Sequence, residues 1–226
     1  MTNIAVIGCI HGDIENLMRF LDKMALLKID ILVCPGDFTD FTTQKGFTRL
    51  DIGKIILEEL RGLGKPILTV PGSWDGELLG FLKKENVSIH AEGRMIEDIG
   101  FYGYGGAKTP FNTPFEPSEG EIELGLEKAY NEIKKAKVKI QITHAPPFGT
   151  KLDVIASGAH VGSDVVRNFI ESKSPDAAIC AHIHEGRGTD VLEKTKLINP
   201  GRFPEGYLGL VEVNDSKIIT KVTSLI

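Results

Sequence analysis

The stretch Ile4-Ala5-Val6-Ile7-Gly8-Cys9-Ile10-His11-Gly12-Asp13 opens the chain's first structural unit. Residues 4–9 hold a short, continuous apolar run, the pattern of a strand buried on both faces. The run gives way to a loop carrying Cys9, His11 and Asp13. Directly after it, Ile14, Leu17, Met18, Leu21 and Ala25 recur at helical spacing, with Asp13 placed to cap them. An apolar run at 29–34, a helical segment at 47–61 ended by Gly62 and Gly64, a run at 66–70 and a short helix at 77–84 repeat the alternation. This βαβαβ order implies right-handed crossovers and a largely parallel sheet.

The middle of the chain changes character. Short runs at 94–98 and 101–104, with Ile99-Gly100 between them, predict a hairpin. Residues 105–120 hold Pro110, Pro114 and Pro117 and read as a long loop of the kind that carries function. Ile122, Leu126, Ala129, Tyr130 and Ile133 mark a helix, 138–143 a buried strand, and Val165, Val166, Phe169 and Ile170 another helix. A strand follows at 177–180. Four further segments, 188–192, 196–198, 208–213 and 217–223, read as antiparallel strands, with Asn214-Asp215 at the last turn. No repeat or linker interrupts the chain, so residues 1–226 read as a single α/β domain with two packed sheets flanked by helices.

Composition narrows the function. The 226 residues are 42% hydrophobic and 25% charged, which excludes global disorder. With 26 Lys plus Arg against 31 Asp plus Glu, the net charge of −5 argues against a nucleic-acid partner. It leaves room for a small phosphorylated substrate if a metal supplies positive charge. No apolar run is long enough to span a membrane, so no membrane partner is expected. Three widely spaced cysteines, Cys9, Cys34 and Cys180, argue against a disulfide framework and for a cytoplasmic setting. Cys34 and Cys180 read as buried small hydrophobes.

In open α/β sheets, ligands bind beyond the carboxyl ends of the strands. Those ends carry Cys9-Ile10-His11, Gly36-Asp37, Gly72-Ser73-Trp74-Asp75, His144 and His182-Ile183-His184. His11, Asp37, His144, His182 and His184 at successive strand ends suit two transition ions (Mn, Fe, Zn or Ni), with Asp37 between them. Gly36, Gly72 and Gly105-Gly106 would let backbone approach closely. The loop at 105–120 and the segment at 160–163 are expected to shape the substrate pocket, and Ser163 doubles as a helix cap.

The same motifs, in order over residues 4–201, resemble the calcineurin-like metallophosphoesterases. That family shows D-x-H, G-D, G-N-H-[DE], an isolated His and G-H-x-H. Gly158-Ala159-His160-Val161-Gly162-Ser163 and Asn199-Pro200-Gly201 are similar to a prokaryotic branch of small members. The resemblance implies a four-layer α-β-β-α sandwich of two mixed sheets with a dinuclear site on one edge. One ion would take His11, Asp37 and His184, with Cys9 at the family's Asp position. The other would take Asp37, His144 and His182, with Ser73 at the family's Asn position. It implies a metal-dependent phosphoesterase acting on a phosphomonoester or phosphodiester, a nucleotide among the candidates; a homo-oligomer is compatible with it.

Three substitutions set this chain apart. Cys9 is either a soft thiolate ligand, favouring Zn or Fe over Mn, or a small strand-end residue. Ser73 is either a poor hydroxyl ligand or a turn residue. Trp74 replaces a histidine that assists the leaving group, and its indole N–H donates without titrating. It could bind a phosphoryl oxygen, stack on a ring, or simply pack. The expected catalytic set is therefore His144, Trp74 and Asp75, with His160 as a replacement acid. The alternative is a catalytically weakened phosphate- or nucleotide-binding regulatory module.

Overall fold

In the computed structural model, which describes residues 1–214 and 217–226, strand β1 (Thr2–Val6) buries both of its faces. Ile4 and Val6 enter the core between two sheets, and Ala5 enters a second core on the opposite face. Strict alternation of side chains along a strand produces this division. The continuous apolar run is what a central strand between two cores requires.

β1 lies parallel to β2 (Ile31–Cys34), and β2 to β3 (Ile67–Thr69). On the other side it pairs antiparallel with β10 (Tyr207–Asn214), which carries β11 (Lys217–Ser224). The second sheet runs β4-β5-β6-β7-β9-β8, built from β4 (Glu92–Ile96), β5 (Ile99–Tyr104), β6 (Val138–Thr143), β7 (Ala177–Ile179), β8 (Gly188–Leu192) and β9 (Thr195–Asn199). β5, β6, β7 and β9 are parallel, and β4 and β8 pair antiparallel at the two edges.

Three apolar clusters make the layers. Helices α1 (Ile14–Met24) and α2 (Arg49–Arg61) pack Leu17, Phe20, Ile56 and Leu60 against the outer face of the first sheet. Ile4, Val33, Phe101, Ile142 and Ile198 fill the space between sheets. Helices α4 (Glu119–Ile133) and α5 (Asp164–Lys173) pack Leu126, Phe169 and Ile170 on the outer face of the second. The result is the four-layer α-β-β-α sandwich of two mixed sheets. Asp13, Thr48, Ser118 and Ser163 cap α1, α2, α4 and α5 by accepting a backbone N–H.

Several expectations move. The hairpin turns at Glu97-Asp98, not at Ile99-Gly100, because Ile99 is needed with Phe101 in the inter-sheet core and Ile96 pairs with Ile99. The segment at 77–84 divides into a 3-10 turn, Gly76–Leu78, and helix α3 (Leu79–Lys84). The four C-terminal strands do not form one antiparallel group. β8 and β9 complete the second sheet, while β10 and β11 complete the first. Of the turn expected at Asn214-Asp215, Asn214 ends β10 and Asp215 lies outside the described residues. No helix among the described residues is long and apolar enough to cross a membrane.

Candidate metal centre

Beyond Val6 and Cys34 the two chain segments stay zipped. Cys9 N–H donates to the Gly36 carbonyl at 3.1 Å, His11 N–H to Asp37 at 3.0 Å and Gly12 N–H to Phe38 at 2.8 Å. This continuation brings the loops after β1 and β2 to one rim. There the backbone leaves extended geometry. Cys9 (φ +54°), His11 (+53°), Asp37 (+56°) and His182 (+70°) all adopt the left-handed region. Such a conformation costs of order 1–3 kcal/mol at a non-glycine residue and clusters at functional sites.

Two groups of side chains result. The ligand atoms of Cys9, His11 and His184 lie within 4.8 Å of one another, as do those of Asp37, His144 and His182. Asp37 stands between them: its Oδ2 is 3.2 Å from His144 Nε2 and 3.8 Å from His11 Nε2. His11 Nε2 and His184 Nε2 approach to 3.3 Å, and the His144 and His182 rings lie 5.0 Å apart. His144 Nδ1–H donates to the Pro35 carbonyl at 2.7 Å. That bond fixes the tautomer and leaves the Nε2 lone pair aimed into the site.

Electrostatics follow from burial and crowding. Burial pushes the Asp37 carboxyl up, but the His144, His11 and His182 imidazoles outweigh it and hold the group well below the carboxylate range. Burial, then the neighbouring His144, pushes His182 down to about 3. Burial, then His11, pushes His184 down to about 4. Neutral imidazoles are the form that ligates. His11 Nδ1 and His144 Nε2 are buried without a hydrogen-bond partner among the described residues. Orphaned nitrogens beside a carboxylate and a thiol form the N, O and S donor set of a transition-metal site. The residues present therefore fit the divalent ions that the resemblance implies.

The close approach of the loops depends on two glycines. A Cβ on Gly72 would fall 2.1 Å from the Asp37 nitrogen, and one on Gly36 would fall 2.4 Å from the Gly72 nitrogen. Asp75, expected among the catalytic residues, is fully buried away from solvent. It accepts N–H groups from Phe38 (3.1 Å), Thr39 (3.0 Å) and Gly72 (2.8 Å) and the Thr39 hydroxyl (3.0 Å). Both oxygens are thus spent on backbone, which makes Asp75 a positioning residue. The Ser73 hydroxyl donates to the Ala107 carbonyl at 3.4 Å, an occupation that suits a turn residue.

Trp74 donates its backbone N–H to Asp37 Oδ1 at 3.0 Å. Its ring is half-buried and meets exposed Phe41 edge-on at 5.8 Å, so it is not a core tryptophan. Next to His11 a cavity of about 210 Å³ is lined by Asp40, Thr42, Thr43, Gln44 and Ile52. The segment after β2 and helix α2 form this recess, and the loop at 105–120 meets the Ser73 turn through Ala107 and Phe115. His160 lies apart: among the described residues, no hydrogen bond, ion pair or ring contact joins it to either group. Its Nδ1 bonds Asp153 at 2.8 Å, and its side chain is 41% exposed.

Three contributors escape the sequence reading. Asp153 accepts N–H groups from Gly149, Thr150 and Gly162 and anchors the His160 loop. Asn199 donates to the Ile183 carbonyl at 2.8 Å and accepts the Gly201 N–H at 2.9 Å, holding the segment between His182 and His184. The Asn199-Pro200-Gly201 motif was its only signal. Arg202 has a buried Nε without a hydrogen-bond partner among the described residues, and its charge helps hold the His184 imidazole neutral.

Comparison with known proteins places the chain in a family. The family model described as calcineurin-like phosphoesterase matches residues 2–186. The chain is 35% identical over 206 residues to the uncharacterized protein MJ1162 of Methanocaldococcus jannaschii, covering 88% of this chain and 86% of that one. The crystal structure of TT1561 of Thermus thermophilus matches with a TM-score of 0.73 at 21% identity, covering 97% of each chain. A dimetal phosphatase from Danio rerio matches with a TM-score of 0.70 at 11% identity, covering 100% of this chain and 96% of that one. At these identities the two structures speak for the fold.

Proposed function

Because the chain belongs to the calcineurin-like phosphoesterases, we propose that it hydrolyses a small phosphomonoester or phosphodiester, nucleotides included, at a dinuclear metal site. The observation that carries this reading is Asp37, whose Oδ2 faces His144 on one side and His11 on the other. Cys9, His11 and His184 would hold one divalent ion, and His144 and His182 the other, with Asp37 shared. Bound there, such ions polarise a phosphoryl oxygen and acidify a water near neutral pH.

The chain's own residues do the rest. Pro35 holds His144 in the tautomer whose Nε2 faces Asp37. The Arg202 guanidinium beside His184 offers charge to a phosphate oxygen. The recess beside His11 receives part of the substrate, with the Trp74–Phe41 pair next to Asp37. Trp74 can donate a hydrogen bond to a phosphoryl oxygen but cannot pass a proton. His160, partly exposed and held through Nδ1 by Asp153, lies apart from both ligand groups and would give a proton only to a leaving group that extends to it. All three cysteines are free thiols, which suits the reducing cytoplasm.

The absence of a titratable side chain at Trp74 favours a second reading, a phosphate- or nucleotide-binding module with weakened catalysis. One experiment separates the two. Protein purified without added metal is analysed for metals, then assayed on a panel of phosphoesters beside Asp37→Ala. The hydrolase reading expects about two transition ions per chain and turnover that Asp37→Ala abolishes. Metal-loaded protein that binds nucleotides but turns over nothing in the panel leaves the binding-module reading standing.

A further inference from the structure

Cys9 is the buried cysteine that no apolar cluster claims. Cys34 packs in the core beneath α1 and α2, and Cys180 in the core beneath α4 and α5. Cys180 also donates its Sγ–H to the Ile198 carbonyl at 3.6 Å. Cys9 is equally inaccessible but belongs to none of the three clusters. Its ligand atom lies instead within 4.8 Å of the His11 and His184 nitrogens. Its backbone is left-handed (φ +54°), as are those of His11, Asp37 and His182 on the same rim.

The second group repeats the two imidazoles but offers the Asp37 carboxylate. With Asp37 shared between them, the first half-site has a sulfur donor that the second lacks. Softness of the donor is what separates thiophilic ions from manganese and magnesium, because overall affinity follows the same metal order at either site.

We propose that Cys9 is a thiolate ligand, and that it makes the Cys9–His11–His184 group retain a thiophilic ion such as zinc against manganese, while the Asp37–His144–His182 group discriminates less. The chain would then carry two unlike ions when both metals are supplied. The inference rests on the dinuclear reading above and adds which ion each half takes.

Cobalt(II) is the direct probe, since thiolate ligation gives a near-ultraviolet sulfur-to-cobalt charge-transfer band that imidazole and carboxylate do not. Metal-stripped protein loaded with cobalt(II) should show the band. Cys9→Ser and Cys9→Asp should lose it, and Cys180→Ala should keep it. In a second arm, protein given one equivalent of zinc and excess manganese is washed and analysed for both. Native protein should hold its zinc and take manganese beside it, whereas Cys9→Asp should exchange zinc for manganese. Cobalt bound to native protein without the band overturns the inference and leaves the dinuclear reading intact, as does a band that survives in Cys9→Ser. Failure of native protein to bind cobalt at all overturns both.

Discussion

Asp75 accepts the Gly72 N–H at 2.8 Å, a bond that closes the turn after β3 on itself. The same carboxylate receives the N–H groups of Phe38 and Thr39, the residues directly after Asp37. One buried side chain thus sets the position of the central candidate ligand without touching it.

Asp75→Ala should therefore act on stability and metal binding together. Three buried N–H groups lose their acceptor, each worth about 1–3 kcal/mol when left unsatisfied. A loss of at least ~3 kcal/mol in urea unfolding is expected, with a parallel fall in bound metal. Asp75→Asn, which keeps one carbonyl oxygen, should cost less on both counts. Full metal content in Asp75→Ala would show that the loop holds without it.

Gly72→Ala tests the close approach directly. The added Cβ meets the Asp37 nitrogen at 2.1 Å and its Oδ1 at 2.2 Å, backbone and ligand that cannot swing aside. Overpacking of this kind costs about 1–3 kcal/mol, and here the displaced atoms belong to Asp37. Metal content and phosphoesterase activity should fall further than stability does. A Gly80→Ala control, where a Cβ meets nothing within 4 Å, should leave both unchanged.

Trp74→His should raise turnover selectively. The Trp74 ring is half-buried, and its anchoring bond to Asp37 comes from backbone, so the exchange leaves that bond available. General acid help is worth about 10²–10⁴ in rate. The gain should appear with poor leaving groups and be small with nitrophenyl esters, which need no protonation. Equal gains for both would show that the imidazole acts in binding instead.

Acid stability carries a signature of Asp153. Burial pushes this carboxyl up, but the His160 imidazole and the N–H groups of Gly162, Thr150 and Gly149 outweigh it and leave the folded value below the ordinary one. A depressed folded value means that the unfolded chain binds the proton more readily. The stabilisation is then complete above the unfolded pKa of about 4 and is lost as pH falls from there through the lower folded value. In denaturant titrations, native protein and Asp153→Asn should differ by a constant amount above about pH 5 and draw together progressively below about pH 4, meeting only below the folded value. A difference that does not vary with pH would assign the loss to packing alone.

The order of the elements could be read directly. Strand β1, helix α1 and the strand-end motifs carry their signals locally: an apolar run, a 3.6-residue period with Asp13 before it, and polar residues where the runs stop. The resemblance to a family added the layers. The hairpin at Glu97-Asp98 could not be read, since either of two adjacent turns suits the local residues. Only the need for Ile99 in the inter-sheet core decides between them. The division of the last four strands between the sheets is likewise a matter of which partner each meets.

At the candidate site, the sequence determined which donors exist: four histidines, Asp37 and Cys9, each at a strand end. The tertiary structure decided how they group, because grouping depends on distances between segments far apart in the chain. It placed Cys9 with His11 and His184, and Asp37 between His11 and His144. It also separated residues that look alike in the motif. Asp75 stands two positions from Ser73 yet spends its charge on backbone, a role visible only when the N–H groups it accepts from Phe38, Thr39 and Gly72 are brought around it.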